Sequence, residues 1–118
     1  MRRRQFIAAA GAAGIAGQLP ATAHAQPAEW PREPVRIVVP YAAGGPTEVA
    51  GRIIAQELTR NLGQNFLLDL RPGGSSVIGT ELVARDKPDG HTLLMQAAAF
   101  ALNPSLLPKL PFDTVADV

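Results

Sequence analysis

Apolar and polar positions change period several times along the chain, and each change marks an element. Val35-Arg36-Ile37-Val38-Val39 is a β-branched run held between two prolines, the pattern of a short buried strand. Tyr41 to Pro46 is a loop. From Thr47 or Glu48 to Asn61 the period becomes helical. Ala50, Ile53, Ile54, Leu58 and Leu62 form one apolar stripe, and Gly63 is a natural stop. Thr47 fits the N-cap, and Glu48 places a negative charge in the first turn, where it suits the helix dipole. Gln64 to Leu70 reads as a second strand centred on Phe66-Leu67-Leu68. After the corner RPGGSSVIG (71–79), a short helix is predicted from Ser76 or Val77 to about Ala84. Lys87-Pro88-Asp89-Gly90 is a turn, and His91 to Met95 a third strand. Gln96-Ala97-Ala98-Ala99 follows as a small-residue stretch. Asn103-Pro104 opens a short helical turn, and LPFDTVADV (110–118) has no strand or helix period.

The order strand, helix, strand, helix, strand predicts an α/β fold with a parallel sheet and right-handed crossovers. Ligands of such sheets sit beyond the carboxyl ends of the strands. All three predicted strands end there in small-residue loops: Ala42-Ala43-Gly44-Gly45, Gly73-Gly74-Ser75-Ser76 and Ala97-Ala98-Ala99.

The first 25 residues change the reading of the charge. Arg2, Arg3 and Arg4 precede an apolar run from Phe6 to Ala16, and Ala23-His24-Ala25 supplies the small residues of a cleavage site. This is the pattern of a signal peptide cleaved after Ala25, and it predicts export to the periplasm. Arg3-Arg4-Gln5-Phe6-Ile7 fits a twin-arginine signal as well as an ordinary Sec signal with a basic start. The whole chain carries a net charge of +1, but three of its 11 basic residues lie in this leader. From Gln26 on, eight basic residues face ten acidic ones, a balance of −2. With no basic stripe and few aromatics, nucleic acid is not an expected partner. The absence of cysteine excludes disulfides, thiolate metal ligands and a thiol nucleophile. Residues 26–34 (QPAEWPREP) read as an extended, proline-rich leader in which Trp30 can dock on the domain.

The first corner carries the main chemical signal. Gly44 and Gly45 let a ligand approach the backbone, and the following helix start offers unpaired N–H groups to a carboxylate or phosphate. The same residues also suit a plain tight turn. A Walker loop would need lysine where Pro46 stands, and Gly44, Gly45 and Gly51 do not have dinucleotide spacing. Beyond the leader the one histidine is His91, at a strand start and away from the carboxyl edge. Ser75 and Ser76 have no base nearby in sequence; they read as hydroxyl donors to a ligand or as caps of the next helix. Arg71 fits an anion contact or a surface ion pair. No catalytic residues, metal-ligand spacing or cofactor motif is predicted.

Several spaced segments resemble one family. Residues 34–48 (PVRIVVPYAAGGPTE), Arg71-Pro72-Gly73 with Ile78-Gly79, Pro88-Asp89-Gly90-His91-Thr92-Leu93-Leu94, Asn103-Pro104 and Leu110-Pro111-Phe112-Asp113 are similar, in this order, to the Bug family. These are the periplasmic substrate-binding proteins of tripartite tricarboxylate transporters. The resemblance covers residues 31–118 and implies a periplasmic-binding-protein-like (type II) fold of two α/β lobes closing on a small carboxylate solute. It implies integral membrane subunits as partners and no enzyme activity. Residue by residue it points to Tyr41, Ala42, Ala43, Gly44, Gly45 and Thr47 in the first loop and to Ala97 in the third. Glu48 stands where the family usually has aspartate. Ser75 and Ser76 stand in a loop that is commonly richer in glycine, and three alanines replace a hydroxyl-rich third loop. Residues 35–118 correspond to the first part of lobe one. The alternatives are a fragment of such a protein that does not function alone, and an exported α/β enzyme.

Overall fold

The computed structural model describes residues 29–118. The expected export leader and cleavage site, and the start of the expected extended segment, lie outside the described residues. Three strands and three helices follow one another: β1 (Val35–Val39), α1 (Pro46–Leu62), β2 (Phe66–Leu70), α2 (Val77–Ala84), β3 (Thr92–Leu94) and α3 (Ala99–Leu106). The strands form one parallel sheet in the order β2-β1-β3. Register is tight at the carboxyl edge, where Val39 pairs with Leu70 and Val38 with Leu94. The predicted alternation and parallel sheet are therefore present. None of the helices among the described residues is long and apolar enough to cross a membrane.

β1 is the central strand and is buried except at Arg36. On one face Val35, Ile37 and Val39 pack with Ala55 of α1 and Phe66, with Leu58, Leu68, Leu93 and Met95 around them. The other face meets α2, where Gly79 lies against Pro40. Burial on both faces explains why β1 reads as a continuous apolar run rather than an alternating one. Arg36 emerges between Asp86, 2.7 Å away, and Asp69, 3.6 Å away, and so links the carboxylates of two neighbouring segments. Trp30 packs edge-on to Phe66, with ring centroids 6.1 Å apart, which docks the extended segment on the domain.

The elements differ from the sequence reading in four places. Helix α1 starts one residue early, at Pro46, with Gly45 rather than Thr47 as N-cap. Proline suits the first helical position because its fixed φ is already helical and its missing N–H would go unbonded there. The buried residues of α1 are Glu48, Gly51 and Ala55, and of the predicted stripe Leu58 packs beside them. Ile53 and Ile54 are exposed, at 58% and 45%. Small residues let the helix sit close to the sheet: a Cβ on Gly51 would stand 3.1 Å from Leu68 Cδ2 and 3.2 Å from Met95 Sδ. Strands β2 and β3 are shorter than Gln64–Leu70 and His91–Met95, although single ladder bonds continue past their ends. Val35 N–H donates to the Asn65 carbonyl, Arg36 N–H to that of His91, and Met95 N–H to that of Val38. Finally, Asn103 and Pro104 do not open a helical turn. They lie inside α3, whose start is the alanine-rich stretch that reads as loop. Alanine is the best helix former, and Asn103 is turned inward instead of capping.

Candidate functional site

Because β1, β2 and β3 are parallel and in register, the loops that follow them leave the sheet side by side. The first, Tyr41–Gly45, leads into α1. Gly44 has φ 87°, the left-handed conformation open to glycine at no steric cost. Its N–H donates to Glu48 Oε2 at 2.6 Å. Glu48 Oε1 accepts from Arg52 Nε at 2.8 Å and from Arg52 Nη2. Glu48 is only 8% exposed, so this glutamate is a buried brace of the loop with both oxygens engaged. The Gly44 N–H, and next the Arg52 guanidinium, hold its carboxyl below the ordinary glutamate value, against an opposing contribution from burial.

Among the described residues, the N–H groups of Ala42 and Ala43 meet no protein acceptor, while that of Gly45 faces the Ala42 carbonyl across a tight turn. The two unmet groups lie just ahead of a 17-residue helix capped at Gly45, whose first turn carries partial positive charge. Ala42 and Ala43 are exposed. Thr47 sits in the first turn of α1 and its hydroxyl makes no cap bond.

The second loop ends in a single 3₁₀ turn, Gly74–Ser76, ahead of α2. Ser75 and Ser76 both have positive φ, 54° and 73°. Neither serine caps α2 by its side chain. Their carbonyls are held instead: Asn103 Nδ2 donates to the Ser75 carbonyl at 2.9 Å, and Thr80 Oγ1 donates to the Ser76 carbonyl at 2.8 Å. Ser75 is exposed, while Ser76 is buried with its hydroxyl 3.4 Å from Asn103 Nδ2.

The third loop meets the first. Tyr41 Oη donates to Gln96 Oε1 at 2.8 Å, and the Ala97 N–H donates back to Tyr41 Oη at 3.2 Å. Gln96 Nε2 then donates to Thr80 Oγ1 at 2.5 Å. The fold thus brings together Tyr41, Ser76 and Ala97 of the expected residues. It adds Gln96, Thr80 and Asn103, which sequence reasoning did not assign to the site. Gln96 carried a signal, being a lone polar residue at a strand end amid apolar neighbours. Thr80 and Asn103 carried none, since nothing in helix periodicity distinguishes an inward polar residue from an outward one.

The grooves on the surface of the described residues lie elsewhere. One runs between α1 and the edge of β2, from Arg52 to Phe66 and Leu70. Another runs beside β3 towards the last residues of the chain. Spacing in the sequence shows no metal ligands, but folding brings donor atoms of Glu33, Asp89 and His91 within 4.8 Å of one another at the opposite end of the sheet. Their bonds are those of a turn: Asp89 Oδ1 accepts the His91 N–H, and His91 Nε2 accepts the Arg32 N–H. His91 Nδ1 has no hydrogen-bond partner among the described residues and stands 3.3 Å from Asp89 Oδ1.

Residues 50–118, more than half of the chain, match the tripartite tricarboxylate transporter family receptor, TctC. The chain belongs to this family. Among curated TctC relatives, the protein BugT of Bordetella pertussis is 36% identical over 115 residues, which are 96% of this chain and 32% of BugT. The solved structure of the periplasmic binding protein BugD superposes with a TM-score of 0.68 at 38% identity, over 72% of this chain and 28% of BugD. MatC from Rhodopseudomonas palustris, solved with bound malate, gives a TM-score of 0.62 at 36% identity, over 74% of this chain and 30% of MatC. The fold is therefore that of a periplasmic-binding-protein lobe in part, as the resemblance implies. The chain spans less than a third of the length of these TctC relatives.

Proposed function

We propose that the chain is the first part of lobe one of an exported, periplasmic solute-binding protein. That protein captures a small carboxylate and delivers it to the integral membrane subunits of a tripartite transporter, without catalysing a reaction. The observation that carries this reading is the pair of unmet N–H groups at Ala42 and Ala43, just ahead of α1 on the edge where all three loops converge. A malate-bound relative of the same fold supports the ligand class. Tyr41, Thr47, Ser75 and Ala97 border the same edge. Gly44 and Glu48 serve it as a braced pair, since the Gly44 N–H is already taken. Ser76 serves it through its carbonyl rather than its hydroxyl.

The test is a titration of the ¹⁵N-labelled chain with sodium malate, followed by amide shifts. Malate is expected to move the Ala42 and Ala43 resonances first and to saturate. Shifts absent from this loop, or spread evenly over the surface, overturn the reading. Half a cleft binds weakly, so saturation is expected only at millimolar solute, about −4 kcal/mol.

A further inference from the structure

Tyr41, Gln96, Thr80 and Ser76 come from three different loops or their helices, yet their polar atoms form one unbroken chain of hydrogen bonds. The chain has a direction. The Thr80 hydroxyl spends its single proton on the Ser76 carbonyl, so it meets Gln96 only as an acceptor. Gln96 must then point its NH₂ at Thr80 and its oxygen at Tyr41. The Tyr41 hydroxyl gives its proton to that oxygen and accepts the Ala97 N–H. Each orientation fixes the next. Thr80 is 1% exposed, so the chain is anchored in the interior and opens at Tyr41. At its buried end it also helps hold a pair of serines in left-handed conformations that ordinary residues disfavour.

We propose that Thr80 and Gln96 are positioning residues of the ligand edge, setting the loop after β1 from the interior through this directional chain. The inference rests on the carboxylate-site reading for its functional meaning, but its structural content stands without ligand. A merely structural Thr80 would lower stability when changed and leave the loop after β1 as it was. A positioning Thr80 transmits its loss through Gln96 to Tyr41. Valine is the isosteric test because it fills the same volume without a hydroxyl, and serine is the rescue because it keeps one.

The experiment compares ¹⁵N amide spectra of the full chain with those of Thr80→Val, Thr80→Ser and Tyr41→Phe, first without ligand and then with sodium malate. Thr80→Val is expected to shift the Tyr41–Gly45 and Ala97 amides in the ligand-free spectrum, and Thr80→Ser to restore them. Malate affinity is expected to fall roughly three- to tenfold in Thr80→Val, the worth of one hydrogen bond, and to recover with serine. Ligand-free Thr80→Val spectra with unmoved Tyr41–Gly45 amides overturn the proposal, whatever malate does. If Thr80→Val does not fold, Tyr41→Phe decides, since it removes only the partly exposed terminal oxygen. Its shifts should then reach the Ser76 and Thr80 amides, and confinement to residues 40–42 and 96–97 overturns the proposal. No response to malate in any variant, with the ligand-free shifts present, refutes the carboxylate reading and leaves the positioning chain intact.

Discussion

Glu48 Oε2 accepts the Gly44 N–H at 2.6 Å, so the corner where an anion is expected already contains a carboxylate of the chain itself. Arg52 contacts the other oxygen and balances its charge. The consequence is a loop whose shape is set before any ligand arrives. On the proposed reading, the donors left for a ligand are those of Ala42 and Ala43 rather than of Gly44.

This pair makes stability depend on pH in a defined direction. The Glu48 carboxyl is held below its ordinary value of 4.5, first by the Gly44 N–H and then by Arg52. A folded pKa below the unfolded one contributes stability above the unfolded value and loses it as pH falls through the lowered folded value. Glu48→Gln is therefore expected to melt below the parent at pH 7, with the gap closing as pH falls below 4.5. Thermal melts of both proteins across that range check it, and a gap independent of pH would refute it.

Two buried glycines should respond differently to alanine. A Cβ on Gly79 would stand 2.7 Å from Pro40 Cβ and 3.0 Å from the Arg71 carbonyl, a rigid ring and a backbone atom. Gly79→Ala is expected to cost about 1–2 kcal/mol even after alanine's better helix propensity is counted. At Gly51 the neighbours are the flexible ends of Leu68 and Met95, and Gly51→Ala should stay within about 1 kcal/mol of the parent. Urea denaturation followed by circular dichroism separates the two; equal losses would mean that helix α2 is not seated on Pro40 as described.

Ser75 offers a test of the second loop. It is exposed at φ 54°, and its carbonyl, not its side chain, carries the bond to Asn103. Ser75→Gly should be at least as stable as the parent and more stable than Ser75→Ala by about 1 kcal/mol, the penalty a Cβ meets in the left-handed region. Both variants lack the hydroxyl, so the difference between their melting curves reads the backbone alone. Equal curves would place this residue in an ordinary conformation.

Much of this architecture was legible in local sequence. The β-branched run before Pro40 set β1, Gly63 set the end of α1, and Lys87-Pro88-Asp89-Gly90 set the turn before β3, because each depends on backbone chemistry within a few residues. The alternation of elements then implied the parallel sheet and the edge at which its loops gather. What remained hidden depends on which partner approaches. The stripe through Ile53 and Ile54 and the stripe through Gly51 and Ala55 both have helical period. Only contact with Leu68 and Met95 selects the smaller one, because close packing on the sheet leaves no room for larger side chains there. Likewise the sequence contains Tyr41, Thr80 and Gln96 at separations of 39 and 16 residues, with nothing local to join them. Hydrogen-bond donors and acceptors acquire partners only when three loops share one edge of a sheet. That pairing, and the occupation of the Gly44 N–H by Glu48, was decided by the tertiary structure.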